Sequence, residues 1–331
     1  MTAGSREGQT VLLTGAAGFI GHHVAQTLLE AGHRVIGVDD LNDYYDVQLK
    51  RDRLERLAGF DGFHFHTLNI ADHEALKATP GAIDADVVIH LAAQAGVRHS
   101  IDRPFAYASS NLVGHLSVLE LVRHATKAPR LVYASSSSVY GANTKTPFSE
   151  NDRTDSPVSL YAATKRADEL ISESYSRLYG LSQIGLRFFT VYGPWGRPDM
   201  AYWSFTQNIL EGQPIRVFNR GELMRDFTYI DDIVAGVIAT ALAPLPEGAP
   251  AHSIYNIGNN RPVQLMHFIE LIEQAAGRKA KLSFEPMQPG DVVSTCADIT
   301  AISRDFGYAP TTQLETGIPR FVDWYRAYTS R

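Results

Sequence analysis

Tyr161 and Lys165 stand four residues apart in SLYAATKRADE, so on a helix both side chains leave from one face. An ammonium held near a phenol favours the phenolate and draws a tyrosine pKa down from about 10 toward neutrality. Most pairs of this spacing are ordinary helix surface. What singles this one out is Ser136, 25 residues earlier in YASSSSVYG, at the end of a strand candidate. A serine hydroxyl that hydrogen-bonds an alcohol oxygen, while a phenolate takes its proton, lets hydride leave the same carbon. That chemistry needs a hydride acceptor bound beside all three residues.

The N-terminal part of the chain offers a place for one. Gly15, Gly18 and Gly21 are spaced GxxGxxG at the first strand-to-helix turn. The first permits a tight turn, the second lets backbone approach a pyrophosphate, and the third lets the helix pack on the strand. The helix N-terminus then faces the phosphates with free N–H groups. Glycines in such a turn are often only structural, but HRVIGVDD follows as a second strand ending at Asp39, whose carboxylate can accept both ribose hydroxyl protons of an adenosine. The plainer reading of Asp39 is a solvated strand-end acid. Asp39, with Asp40 beside it, would repel a 2′-phosphate, so NAD is expected rather than NADP. Leu91, Ala92, Ala93 and Gln94 put small residues after a fourth strand, where backbone must lie close to a ligand.

These residues must be positioned by a sheet. The 331 residues allow two compact domains or one α/β unit with an appended lobe, at about 150 residues per domain. With 44% apolar and 20% charged residues the composition is that of a globular chain. Strand candidates are TVLLTG, HRVIGVDD, FHFHTLNI, DVVIHLA, RLVYASSS and SQIGLRFF; helix candidates between them include Ile20 to Ala31, Ala106 to Ala125 and Leu160 to Tyr179. This alternation predicts an α/β fold, a doubly wound parallel Rossmann sheet with a smaller C-terminal α/β substrate-binding lobe. The NAD-binding domain is expected over 1–186, with 230–257 returning to it, and the substrate lobe over 187–229 and 258–331. In that lobe Leu265 to Ala276 and Phe321 to Tyr328 read as helices.

Composition also excludes partners. The net charge of -6 and the lack of a Lys/Arg block argue against nucleic acid. No run approaches about 18 apolar residues, so no membrane span is expected, and the polar first ten residues read as a frayed terminus. The single Cys296 cannot form an internal disulfide, which fits a reducing, cytoplasmic setting. Among the 12 histidines, His64 and His66 share a strand face without an evident third ligand, so no metal is expected; His22 and His23 cannot both face the phosphates. Phe188, Phe189 and Trp195 read as packing residues at the lobe junction, although Trp195 or Arg197 could touch a substrate.

From about Thr10 to Tyr328 the sequence resembles the extended short-chain dehydrogenases/reductases, and within them the nucleotide-sugar 4-epimerases. The segments DLNDYYDVQLKRDRL, AAQAGVRHSIDRP, YASSSSVYG, SLYAATKRADE, GLRFFTVYGPWGRPDM and RDFTYIDDIV look like those of UDP-glucuronate 4-epimerases. The resemblance implies that Ser136, Tyr161 and Lys165 form a catalytic triad. It implies tightly held NAD, with contacts at Gly15, Ala17, Gly18, Phe19, Ile20, Gly21, Asp39, Asn42, Asn69, Ile70, Leu91, Ala92, Ala93, Gln94 and Asn111 in addition to Tyr161 and Lys165. It implies interconversion of UDP-glucuronate and UDP-galacturonate, and a homodimer built on the helices Ala106 to Ala125 and Leu160 to Tyr179. One departure is Asn69-Ile70, where relatives usually carry Asp-Ile near the adenine; Asn still donates and accepts there.

The UDP-sugar is expected to meet Thr190, Arg225 and Asp291, with Val217 and Phe218 bordering the uracil. Arg225 suits a diphosphate, or it forms a surface salt bridge with Asp226; Asp291 suits a ribose, or it belongs to a turn beside Pro289-Gly290. Oxidising glucuronate at C4 makes a β-keto acid, which loses CO2 readily. Related decarboxylases carry a Glu immediately before VYG and 4,6-dehydratases an Asp-Glu pair; this chain has Ser137-Ser138. Ser137, Ser138 and Thr190, with Arg187, are therefore expected to hold the carboxylate near the plane of the ketone, unless Arg187 pairs with a buried acid. The alternatives are a UDP-glucose 4-epimerase, a UDP-glucuronate decarboxylase, or a non-catalytic dinucleotide sensor, which would have no reason to keep the serine, tyrosine and lysine together.

Overall fold

A computed structural model describes residues 8–287 and 292–330; Asp291 and the first seven residues of the expected frayed terminus lie outside these. The strands are β1 (Thr10–Thr14), β2 (Arg34–Asp39), β3 (Phe63–Thr67), β4 (Val87–His90), β5 (Arg130–Ser136), β6 (Gln183–Phe188), β7 (Thr190–Tyr192), β8 (Pro214–Phe218), β9 (Met224–Tyr229), β10 (His252–Ile257), β11 (Pro262–Gln264) and β12 (Lys281–Glu285). The α-helices are α1 (Phe19–Glu30), α2 (Val47–Glu55), α3 (His73–Ala78), α4 (His99–Asp102), α5 (Pro104–Tyr107), α6 (Gly114–Arg123), α7 (Leu160–Tyr179), α8 (Ala201–Glu211), α9 (Ile230–Leu242), α10 (Leu265–Ala276), α11 (Thr300–Phe306) and α12 (Leu314–Thr329).

Seven strands form one sheet in the order β10-β6-β5-β4-β1-β2-β3, every pairing parallel. Both faces are covered, which explains the apolar runs. Val11 and Leu13 point into a core shared with α1 and the second lobe, while Leu12 points into another with Val118, Leu119 and Val122 of α6. The first core runs without a break to Trp195, Tyr202, Phe268 and Phe321, so the two lobes are welded by apolar packing. The second lobe carries two small sheets, β11-β9-β7 and β12-β8.

Helix α7 begins and ends where the sequence places it. The Ser159 hydroxyl accepts from the Ala162 N–H at 3.1 Å, and Gly180 closes the helix at φ +70, as capping requires. Three expectations need correction. The helix expected over Ala106 to Ala125 starts at Pro104, whose ring suits a first turn, and contains a π-helical turn over Ala108–Val113. The last helix starts at Leu314, because Pro319 is tolerated inside it. The third strand stops at Thr67, since Asn69 folds back to accept the Ala71 N–H at 2.9 Å. No helix among the described residues is long and apolar enough to cross a membrane.

Candidate active site

The carboxyl ends of β1, β2, β4 and β5 open into one cleft enclosing about 1370 Å³ of empty space, its open mouth included. This is where a doubly wound sheet places a ligand: β1 is flanked by β4 and β2, so connections leave it in opposite directions. Gly15 has φ +76, and a Cβ there would lie 2.7 Å from the Ala92 nitrogen; the turns after β1 and β4 thus abut through backbone alone. A Cβ at Gly21 would lie 2.0 Å from the Gly15 carbonyl oxygen, so α1 can seat on its own entry turn only with glycine there. Gly18 caps α1 without any side-chain hydrogen bond, leaving the helix N-terminus to the cleft that Gly18, Phe19, Ile20 and Gly21 line.

Asp39 is only 8% exposed, which overturns the solvated reading. Its Oδ2 accepts from the Ala17 N–H at 3.1 Å and its Oδ1 from the Leu41 N–H at 2.9 Å. Burial raises its pKa, and nearby Lys50 pulls it back down. A carboxylate has about four acceptor sites and only two are used here, so Asp39 keeps capacity for a pair of hydroxyls. Lys50 is buried and donates to Asn42 Oδ1 at 3.2 Å. Leu91, Ala92, Ala93 and Gln94, with Asn69 and Ile70, complete this end of the cleft. Ala17 acts through its N–H on Asp39 and is not itself in the lining.

Ser136, Tyr161 and Lys165 line the same cleft. Ser136 ends β5, and its hydroxyl accepts from the Ser138 N–H at 3.1 Å while donating to Ser138 Oγ at 3.2 Å. Lys165, almost wholly buried, donates to the Ala134 carbonyl at 2.8 Å and to Asp168 Oδ2 at 3.2 Å. Asp168 is fully buried, and burial pushes its carboxyl up to about 7, with Lys165 pulling it down. The Tyr161 ring meets Tyr107 edge-on at 6.1 Å. Tyr107 in turn donates to the Ala95 carbonyl at 2.7 Å, so the segment after β4 is tied to the wall behind Tyr161.

The residues expected around the sugar nucleotide are placed differently. Arg187 is buried on β6 and pairs with Glu169, Nε to Oε1 at 2.8 Å and Nη2 to Oε2 at 2.9 Å; the alternative of a buried acid partner is the arrangement found. Burial opposes the Glu169 charge, yet Arg187, Ser135 and Arg166 together hold its carboxyl below the usual range. Arg225 donates to the Met224 and Val293 carbonyls at 2.9 and 3.1 Å. The salt bridge with Asp226 does not form, because Asp226 is fully buried and accepts from the Asn259, Asn260 and Ala297 N–H groups. Ser137, Ser138, Thr190, Val217 and Phe218 are not among the residues lining the cleft. Val217 is fully buried, and Phe218 carries the Arg98 and Arg216 guanidinium groups over its ring.

Other cleft residues stand in no chemical motif. Tyr44, Lys50, Ser110, Arg197 and Met200 line it, as do Phe188 and Phe189, which read from sequence as packing alone. The aromatic doublet of NDYYD directly after β2 is the available signal for Tyr44. His22 and His23 face away: His22 Nε2 meets Arg56 Nη1 at 2.7 Å and His23 Nε2 the Pro194 carbonyl at 3.0 Å. No group of three or more His, Cys, Asp or Glu among the described residues is placed to hold a metal ion. The glycine cradle, the spare acceptors of Asp39 and the backbone of residues 91–94 fit a dinucleotide with an unphosphorylated adenosine ribose.

Known proteins carry the same architecture. Protein CapI of Staphylococcus aureus is 48% identical over 331 residues, covering 96% of this chain and 98% of that one. UDP-glucuronate 4-epimerase 2 of Arabidopsis thaliana is 47% identical over 336 residues, covering 98% of this chain and 77% of that one. The crystal structure of UDP-glucuronic acid 4-epimerase from Bacillus cereus, in complex with UDP-glucuronic acid and NAD, superposes with a TM-score of 0.86 at 32% identity, covering 96% of this chain and 99% of that one. A family model matches residues 11–258, and on this match, the two relatives and the fold, the chain belongs to the NAD dependent epimerase/dehydratase family.

Proposed function

We propose that the chain catalyses the reversible C4 epimerisation of UDP-glucuronate to UDP-galacturonate, with NAD held in the cleft. The observation that carries this reading is that Ser136, Tyr161 and Lys165 line the same cleft as the glycine turn and Asp39. The relatives named above, one of them bound to UDP-glucuronic acid and NAD, support the substrate and the cofactor. NAD, when bound, supplies a nicotinamide that accepts a hydride and returns it. The chain's own residues handle the proton and the geometry. Tyr161, as phenolate, takes the proton of the 4-hydroxyl and later gives it back; Ser136 hydrogen-bonds the same oxygen. Lys165, held by the Ala134 carbonyl and Asp168, places its amino group on the same helix face as the phenol, one turn away. The 4-keto sugar, trigonal at C4, then turns about its diphosphate link and presents its other face, inverting C4 without net redox change.

The 4-keto acid must be protected from losing CO2. Ser137 and Ser138 stand where an eliminating or decarboxylating enzyme would need an acid, and we assign them, with Thr190, to the carboxylate. The Arg187–Glu169 pair favours a supporting role for Arg187 beneath Ser135, which also donates to Glu169. Arg225, Val217, Phe218 and Asp291 are assigned to the UDP moiety, within a substrate lobe comprising 187–229 and 258–331. The exposed apolar residues Phe105, Val113 and Leu116 on one side, and Leu160, Leu170 and Leu178 along α7, support a homodimer joined through these helices. The single cysteine supports a cytoplasmic location.

The test is to incubate the purified protein separately with UDP-glucuronate, UDP-glucose and UDP-xylose and to resolve the products by chromatography. UDP-galacturonate is expected from the first alone. A UDP-pentose with released CO2 as main product, or UDP-glucose turned over as efficiently, would overturn the assignment. Tyr161→Phe should abolish turnover while leaving NAD bound, and retained activity would remove Tyr161 from its role.

A further inference from the structure

The cleft is bridged at its mouth by one side chain. Tyr44, in the loop after β2, donates from its phenol to Asp199 Oδ2 at 3.0 Å, a contact between segments 155 residues apart. Asp199 holds Arg197 through two hydrogen bonds, one of them from Nε to Oδ1 at 3.0 Å. The Tyr44 ring lies 4.6 Å from that of His99. Gly96, at φ +99, brings its backbone so near that a Cβ would sit 2.4 Å from the Tyr44 hydroxyl. The loops after β2, β4 and β7 thus meet on Tyr44, and both Tyr44 and Arg197 line the cleft. Burial, followed by the Asp199 charge, pushes the Tyr44 phenol up to about 12, so it remains a donor at neutral pH.

The segment that carries Arg197 and Asp199 runs from a fixed root into α8. Its root is fixed by Arg53 of α2, whose side chain is fully buried. Arg53 donates from Nε and Nη2 to the Trp195 carbonyl at 3.1 and 2.7 Å, and from Nη2 to the Gly196 carbonyl at 2.8 Å. The same guanidinium donates from Nη1 to the Ala17 carbonyl at 3.0 Å, inside the glycine turn. Beyond Gly196 the Arg197 N–H donates to the Tyr202 hydroxyl of α8 at 2.9 Å, while the side chains of Arg197 and Asp199 are 23% and 26% exposed and Asp199 is reached from across the cleft by the Tyr44 phenol. A segment anchored at both ends, with a partly solvated middle tied across the cleft by one phenol, describes a flap with a catch.

We propose that the Tyr44–Asp199 hydrogen bond is the catch that keeps the 195–200 segment closed over the dinucleotide, and that its opening sets the rate at which NAD leaves. This rests on the reading that NAD occupies the cleft. A hydrogen bond to an ionised acceptor is strong enough for its loss to speed release roughly tenfold. The test loads the full-length protein with radiolabelled NAD, chases with unlabelled NAD and follows the label retained. Tyr44→Phe, which keeps the ring on His99 but removes the donor, should release label about tenfold faster, with the NAD-free protein melting at an unchanged temperature. Release within twofold of the unsubstituted protein overturns the catch, and so does faster release that comes with a lowered melting temperature of the NAD-free protein. Should Tyr44→Phe fail to fold, Tyr44→Leu, which likewise removes the donor, replaces it, and the same two outcomes uphold or overturn the catch. If the unsubstituted protein retains no label, the failure lies with the site assignment and not with the catch.

Discussion

Asn111 clamps the backbone of Gln94 from both sides: its Oδ1 accepts the Gln94 N–H at 2.8 Å and its Nδ2 donates to the Gln94 carbonyl at 3.1 Å. The same Nδ2 donates to Thr164 Oγ1 at 3.0 Å, next to Lys165. One buried amide therefore sets the loop after β4 against the helix that carries Tyr161 and Lys165. Asn111 lies in the π-helical turn, the kind of local irregularity that turns a side chain inward at functional sites. Asn111→Ala should destabilise the fold by about 1–3 kcal/mol in urea denaturation and weaken NAD binding in an equilibrium titration. Asn111→Asp should not rescue it, since a carboxylate cannot donate to the Gln94 carbonyl; full rescue would mean that the clamp does not matter.

Gly21→Ala tests the entry to α1. The new methyl would lie 2.0 Å from the Gly15 carbonyl oxygen, and backbone on both sides leaves it nowhere to go. The helix must lift, at a cost of about 1–3 kcal/mol, and the glycine turn must lift with it. The expected result is a lower melting temperature and a loss of bound NAD after the protein is loaded with NAD and desalted, read from the absorbance ratio after denaturation. Normal NAD content would show that the turn can relax without losing its ligand.

Asp168 predicts an unusual pH dependence. In the folded chain burial moves its carboxyl from 3.8 to about 7. Between those values the folded state holds a proton that the unfolded chain has released, so this site's contribution to stability falls as pH rises through the window. Asp168→Asn removes that dependence, and its stability relative to the unsubstituted protein should improve from pH 4 toward 7, by at most about 1.4 kcal/mol per pH unit. The ionised carboxylate also offsets the charge of Lys165.

Four histidines, three buried and one half-buried, pull the other way. Burial lowers the His23 pKa to about 4 and that of His90 to about 3, and holds His22 and His115 well below the usual range. Below about pH 6.5 the unfolded chain takes up protons that these rings cannot accept in place, so stability falls as the solution is acidified. Each ring costs up to about 1.4 kcal/mol per pH unit, so four together outweigh what the Asp168 carboxyl returns. Urea midpoints should drop steadily between pH 6.5 and 5; a flat profile would mean that these rings are protonated in the folded protein.

The residues legible in the sequence are those whose neighbours in the chain announce them. Ser159 and Gly180 bracket α7, and the glycines of TGAAGFIG stand at a turn that only glycine can make. What stays hidden depends on partners without a sequence signature. Arg53 reads as one more cation in a charged helix, because the Trp195 and Gly196 carbonyls it holds lie more than 140 residues away. The solvated reading of Asp39 fails because the Ala17 turn folds down over it. Arg225 and Asp226 are neighbours of opposite charge on a strand, where successive side chains point to opposite faces and cannot pair. A last helix beginning only at Phe321 is too short, since packing of Ile318 and Phe321 outweighs the one hydrogen bond that Pro319 forgoes.

The place of β10 at the end of the sheet has a consequence for biosynthesis. Its six residues pair with Gln183–Phe188 of β6, yet they leave the ribosome some tens of residues later. For several seconds of elongation β6, buried along its whole length in the finished fold, is an open edge able to recruit the same strand of another nascent chain. Chaperone demand and aggregation on overexpression should therefore be governed by the interval between these two strands, and messages that stall translation within it should yield insoluble product.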